Sequence, residues 1–233
     1  LSHSLTFGFF MGEIMEERII DLIGKEKFAK IEKTKILLIG LGGVGGYAFE
    51  ALVRSGFKKI TIADFDTFEK SNMNRQIYAT EDSLNQNKCI VAQKRALKIN
   101  PTCQITTLTE KIIPEQITKE FLADFDYILD ACDDVPVKVA LIKACKTSGK
   151  KLISCMGTAN RTHPELLSIT TLEKTTNDPL AKKLRNILKN TNYLKTKVVW
   201  SSEVPVKQKK LGTLCPVPMS AGSLLASFVI NDF

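Results

Sequence analysis

Two apolar periods alternate along most of the chain. Short continuous apolar runs read as strands buried on both faces: KILLIG from Lys35, KKITIAD from Lys58, DYILDA from Asp126 and KLISCM from Lys151. QITTLT from Gln104 supplies one more. Helical patterns separate them: VGGYAFEALVRSG ending at Gly56, a helix from Leu84 to Ile99, one near Pro114 to Ala123, and VKVALIKACKTSG after the fourth strand. Strands spaced in this way by helices predict an α/β fold with a doubly wound, mainly parallel, Rossmann-like sheet. Ligands of such sheets lie beyond the carboxyl ends of the strands.

After Gly157 the pattern changes. LLSITTL and VVWSSE read as strands, DPLAKKLRNILKN as a basic helix opened by Asp178-Pro179, and MSAGSLLASFVI as an apolar helix. This part is expected to elaborate the same sheet. No repeat or Pro/Gly/Ser linker divides the chain, so one domain over residues 14–233 is expected. Its nucleotide-binding part covers about 35–155 and its substrate-facing part about 156–233. Helical sequence begins near Met11, and residues 1–10 read as an upstream extension.

Charge adds an asymmetry. Residues 138–233 carry 16 Lys/Arg against 5 Asp/Glu, while residues 1–137 carry 17 against 20. A basic C-terminal surface suits a polyanion, nucleic acid above all, although a solvated lysine face would give the same count. No apolar run reaches the roughly 18 residues of a membrane span, and the N-terminal stretch lacks a basic signal-peptide start. A cytoplasmic protein is expected. The six cysteines form no C-x-x-C pair and no histidine stands near them at ligand spacing, so zinc is not expected.

The chemistry starts at Gly40, Gly42 and Gly45, a G-x-G-x-x-G turn between the first strand and its helix, with Gly43 and Gly46 in addition. Such a turn lets a phosphate approach backbone N–H groups at a helix N-terminus. Asp64, 19 residues after Gly45, ends the second strand, where a carboxylate accepts ribose hydroxyls. To this point NAD and ATP are served equally. The loop that follows separates them: Asp64, Asp66, Asn72, Asn74, Arg75 and Gln76 fall within thirteen residues, and Lys88 comes soon after. Cleaving a triphosphate needs cations on the transferring and leaving groups, which Arg75 and Lys88 supply. Asp133 in DACDD is placed to hold Mg2+. Each residue singly fits a surface ion pair; their joint occurrence at strand ends points to ATP.

GLGGVG, the DFD pair, SNMNRQ, the lysine and DACDD resemble, in order, the adenylating domain of the ubiquitin-activating, E1-like superfamily. The resemblance implies ribose binding by Asp64, phosphate binding by Arg75 and Lys88, magnesium support by Asp133, and nucleotide contacts from Asn72 and Asn74. It also implies a homodimer, with Arg18 reaching the partner subunit's nucleotide. One departure stands out: the family usually has glycine three residues before the lysine, where this chain has Asn85.

The C-terminal part separates the branches of that superfamily. Members that activate sulfur-carrier proteins typically hold two zinc C-x-x-C pairs, which are missing here; adenylation of a carrier's C-terminal glycine is the alternative expectation. The small-residue turn after the fifth strand, the T-x-x-DPL helix entry, the strand with S-x-E and the small-residue C-terminal helix are similar to the tRNA threonylcarbamoyladenosine dehydratases. That similarity implies adenylation of a threonyl carboxylate on a modified tRNA, cyclisation with loss of AMP, and no thioester. It names no sulfur-transfer partner. The charge map agrees: Lys182, Lys183, Arg185 and Lys189 fall on one predicted helix, where they suit phosphate contacts.

Overall fold

A computed structural model describes residues 16–233; the expected helix start near Met11 and domain start at residue 14 lie outside the described residues. Seven strands form one sheet in the order β3-β2-β1-β4-β5-β7-β6. They are β1 (Lys35–Ile39), β2 (Lys59–Ala63), β3 (Gln104–Leu108), β4 (Tyr127–Asp130), β5 (Lys151–Cys155), β6 (Leu167–Thr171) and β7 (Lys197–Ser201). All neighbours run parallel except β6 and β7, which are antiparallel at one edge.

The apolar runs follow from burial on both faces. Ile36 and Leu38 point to one side, against Phe49, Leu52, Ala92 and Leu225. Leu37 and Ile39 point to the other, against Leu122, Val137 and Leu141. The helices are α1 (Lys25–Lys33), α2 (Gly45–Arg54), α3 (Lys88–Ile99), α4 (Lys119–Leu122), α5 (Val135–Ser148), α6 (Pro179–Ile187) and α7 (Pro216–Ile230). A helical segment at 16–23 precedes them. α7 crosses α2 so closely that a Cβ on Gly222 would stand 2.4 Å from the Val44 carbonyl oxygen. Among the described residues, no helix is long and apolar enough to cross a membrane.

Three helices are shorter than expected; the basic one stops at Ile187. The predicted helix from Leu84 starts at Lys88, because the Asn87 side chain accepts the Cys89 and Ile90 N–H groups and fixes the cap there. The predicted helix near Pro114–Ala123 is a 3-10 turn at Pro114–Gln116 and then α4, divided where the Thr118 hydroxyl caps the second piece. Asn85 takes φ +62°, the left-handed conformation that glycine favours and asparagine tolerates best among other residues. The departure at this position is therefore absorbed without moving Lys88.

Candidate active site

A cleft of about 1310 Å3 opens at the carboxyl ends of β1, β2, β4 and β5. Its floor is the glycine turn. Gly40 has φ +90°, and a Cβ on Gly45 would stand 1.8 Å from the Gly40 carbonyl oxygen, so only glycine lets strand and helix meet here. Gly42 and Gly43 face the cleft. No side chain caps the N-terminus of α2. Its end is left open toward the cleft, with the dipole favouring an anion.

Asp64 closes the turn from the side. One carboxylate oxygen accepts the Leu41 N–H at 2.6 Å and the other accepts the Asp66 N–H at 2.9 Å. Burial pushes its pKa up, and Lys88 with the two N–H groups pulls it only partly back. Lys88 is buried, and its ammonium donates to Asp66 at 2.9 Å. Asp66, expected as a nucleotide contact, is thus the partner of another expected contact.

The loop after β2 is built by its own polar residues. Asn72 accepts the Glu69 N–H through Oδ1, and its carbonyl accepts from Arg75 and Gln76 N–H. Arg75 donates to the Ser71 carbonyl at 2.9 Å and to Asn74 Oδ1 at 2.8 Å, and meets no carboxylate among the described residues. Asn74 donates in turn to the Thr213 carbonyl at 3.0 Å. Gln76 is buried beside Gly42, and its Oε1 has no hydrogen-bond partner among the described residues. An orphaned buried acceptor in a cleft is a place for a ligand donor.

On the far wall, Asp133 is exposed and lines the cleft. Behind it lies a group that sequence reasoning missed. Lys138, fully buried on α5, donates to Asp130 at 2.9 Å, to Ser154 Oγ at 3.2 Å and to the Cys155 carbonyl at 2.8 Å. Burial pulls Lys138 down, and the Asp130 charge and hydrogen bond, together with Cys132 and Cys155, more than offset this, so it stays charged. The network ties the carboxyl ends of β4 and β5, which carry the Asp133 and Gly157 loops. Burial and Asp130 push the Cys132 thiol far up, and burial pushes Cys155 up to about 12. Neither is a ready nucleophile.

Arg161 is also buried. It donates to the Gly157 and Asn177 carbonyls at 3.0 Å each, to the Glu203 carbonyl, and meets Asp178 at 3.5 Å. Asp178 caps α6 through the Ala181 N–H and accepts the Gly157 N–H. His163 stands exposed against Glu165. Loop 204–214 crosses the cleft's rim, bonded to Asn160 through Val206 and Gly212.

The basic residues do not act as one row. Lys183 lines the cleft, Lys182 is exposed outside the lining, and Arg185 is tied to Thr175. Lys189, expected on the helix, lies beyond its end because α6 stops at Ile187. Arg18 is exposed on the 16–23 segment and does not line the cleft. Thus Gly40, Gly42, Gly43, Asp64, Asp66, Asn72, Asn74, Arg75, Gln76, Lys88, Asp133 and Lys183 come together, while Arg18, Lys182, Arg185 and Lys189 stand apart; Gly45 is packed beneath the turn.

A model described as the ThiF family matches residues 16–229. The tRNA threonylcarbamoyladenosine dehydratase of Escherichia coli (strain K12) is 33% identical over 208 residues, 86% of this chain and 78% of that protein. The protein of the same name from Bacillus subtilis (strain 168) is 36% identical over 185 residues, 79% and 73% of the two chains. The crystal structure of the E. coli dehydratase in complex with ATP aligns with a TM-score of 0.88 at 31% identity, covering 93% of this chain and 92% of that one.

Proposed function

The chain belongs to the ThiF family, and on that premise we propose that it is an ATP-dependent tRNA threonylcarbamoyladenosine dehydratase. The observation that carries this reading is a shared cleft: Gly42, Arg75, Lys88 and Asp133 line the same space as Lys183 of the basic helix. A nucleotide on the glycine turn and an RNA held by the C-terminal part would meet there. We assign the nucleotide chiefly to residues 35–155 and the tRNA to 156–233, within one domain.

The threonyl carboxylate attacks the ATP α-phosphorus, giving an acyl adenylate and pyrophosphate. The carbamoyl oxygen or nitrogen then attacks the acyl carbon and AMP leaves, so the modified base cyclises with net loss of water. The protein's work is positioning and charge neutralisation. The open end of α2 receives phosphate oxygens, and Asp64, already holding two N–H groups, keeps lone pairs for the ribose hydroxyls. Gln76 Oε1, unpartnered as it stands, accepts from the nucleotide. Arg75, with no carboxylate of its own, and Lys88 neutralise phosphate charge. Asp133 would hold Mg2+: one carboxylate beside substrate phosphates is the usual donor set for that ion, which when bound offsets charge on the departing pyrophosphate. Arg18 contributes from the partner subunit of a homodimer in the cytoplasm.

The test is incubation with ATP, magnesium and tRNA carrying the threonylcarbamoyl modification, followed by mild digestion and mass spectrometry. Loss of one water from the modified adenosine, with AMP formed, is expected. An unchanged nucleoside from protein that exchanges pyrophosphate into ATP when given a sulfur-carrier protein would move the assignment to carrier activation.

A further inference from the structure

At the opposite end of the sheet, where β5 and β7 begin, lies a second cleft of about 260 Å3. Lys146, Lys150, Lys151, Lys195 and Lys197 line it, and Asp232 is the one acid in the lining. That acid is already taken, with Lys151 at 2.6 Å and the Tyr127 hydroxyl at 2.6 Å. Lys150 points to the Ala123 and Phe125 carbonyls. Lys146, Lys195 and Lys197 are exposed and meet no carboxylate among the described residues. Three exposed ammonium groups without an anionic partner among the described residues therefore line one concave surface, an arrangement that an anion relieves.

The second cleft is not isolated from the first. α6 begins at the nucleotide cleft, where Pro179 and Lys183 line the wall, and the chain then runs past Lys189 to Asn192 and Lys195 in the second cleft. A nine-residue helix rises about 13 Å, so this stretch of chain leads from the cleft at one end of the sheet to the cleft at the other. A free phosphate would find few donors here besides the lysines: Asn192 is one, Thr196 already donates to the Tyr193 carbonyl, and Ile142, Leu152 and Phe228 carry none. A polyanion that engages several lysines at once fits it better.

We propose that the lysine cleft is a second tRNA contact, taking backbone phosphates of a segment remote from the nucleoside being modified. The proposal rests on the dehydratase reading for its partner. Such contacts add affinity and register without base readout.

The test is the full chain carrying Lys146→Glu, Lys195→Glu and Lys197→Glu together; all three side chains are exposed and unpaired, and an unchanged melting curve checks folding. Binding of labelled tRNA is measured over a salt series, with ATP affinity and turnover in parallel. The expected result is tRNA affinity weaker by about tenfold or more, with a salt slope reduced by roughly 2, at about 0.7 per lost contact. ATP affinity stays the same, and turnover is unchanged on a short modified hairpin that cannot span both clefts. Unchanged tRNA affinity and slope in the triple variant would overturn the proposal, as would a wild-type protein that binds no tRNA. A wild-type protein that binds tRNA through these lysines but never dehydrates it would sink the dehydratase reading and leave the RNA surface standing.

Discussion

The Lys88 ammonium lies 2.9 Å from the Asp66 carboxylate, and the Lys88 amide donates to the Asp66 carbonyl at 3.0 Å. The Lys88 side chain is 7% exposed and that of Asp66 50%, so the lysine is held from the solvent side and aimed from beneath. Under the proposed function, a phosphate arriving in the cleft would share this cation. Lys88→Met should lower AMP formation by about 10²-fold or more, the usual cost of removing one charge-stabilising donor. Asp66→Asn should cost much less, because Lys88 keeps its charge and its helix position. Single-turnover AMP release compares the two; equal losses would make the pair purely structural.

Arg75 offers a cleaner separation of chemistry from folding. Its hydrogen bonds stay within its own turn, to Ser71 and Asn74. Arg75→Ala should therefore leave the unfolding midpoint in place and reduce adenylation by about 10²- to 10³-fold. Full AMP formation in a folded variant would remove Arg75 from the machinery.

Acid should weaken ATP binding early. Burial raises the Asp64 pKa, so the ionised acceptor is present above that raised value and is lost as pH falls through it. The affinity profile should bend at a pH above the ordinary carboxylate value of about 3.9. Calorimetric titrations across the acidic range should show this bend in the native protein and none in Asp64→Asn, which binds weakly throughout.

The Asp130–Lys138 pair has no exposure at all. Lys138→Met would strand a buried carboxylate, and destabilisation of about 3–5 kcal/mol is expected. Adding Asp130→Asn should recover part of it, but not all, since the amide NH2 in place of Oδ2 no longer accepts the Ser154 hydroxyl. Denaturant midpoints of the two variants measure the difference.

What was legible in the sequence was local or repeated. β1, β2, β4 and β5 announced themselves because a strand covered on both faces has few polar positions, and the rule that ligands gather at strand ends then placed Asp64 and Asp133. The Asn87 cap carried a signal too, an asparagine just before the periodic helix, yet the polar run from Leu84 obscured it. Pairings across distance left no local trace. Lys138 looked like any lysine on an amphipathic helix, since its partners are at Asp130, Ser154 and Cys155. The antiparallel return of β6 beside β7 likewise depends on packing and not on the composition of either strand.

Arg161 joins stretches of chain around residues 157, 177 and 203 through a single guanidinium. Just past the last of these fixed points, residues 207–211 make no backbone hydrogen bond among the described residues. Insertions and deletions there should be borne by descendants of this protein, while its register at Gly157, Asp178 and Glu203 stays put. The rim of the site can drift and take new RNA shapes while the catalytic floor is inherited unchanged.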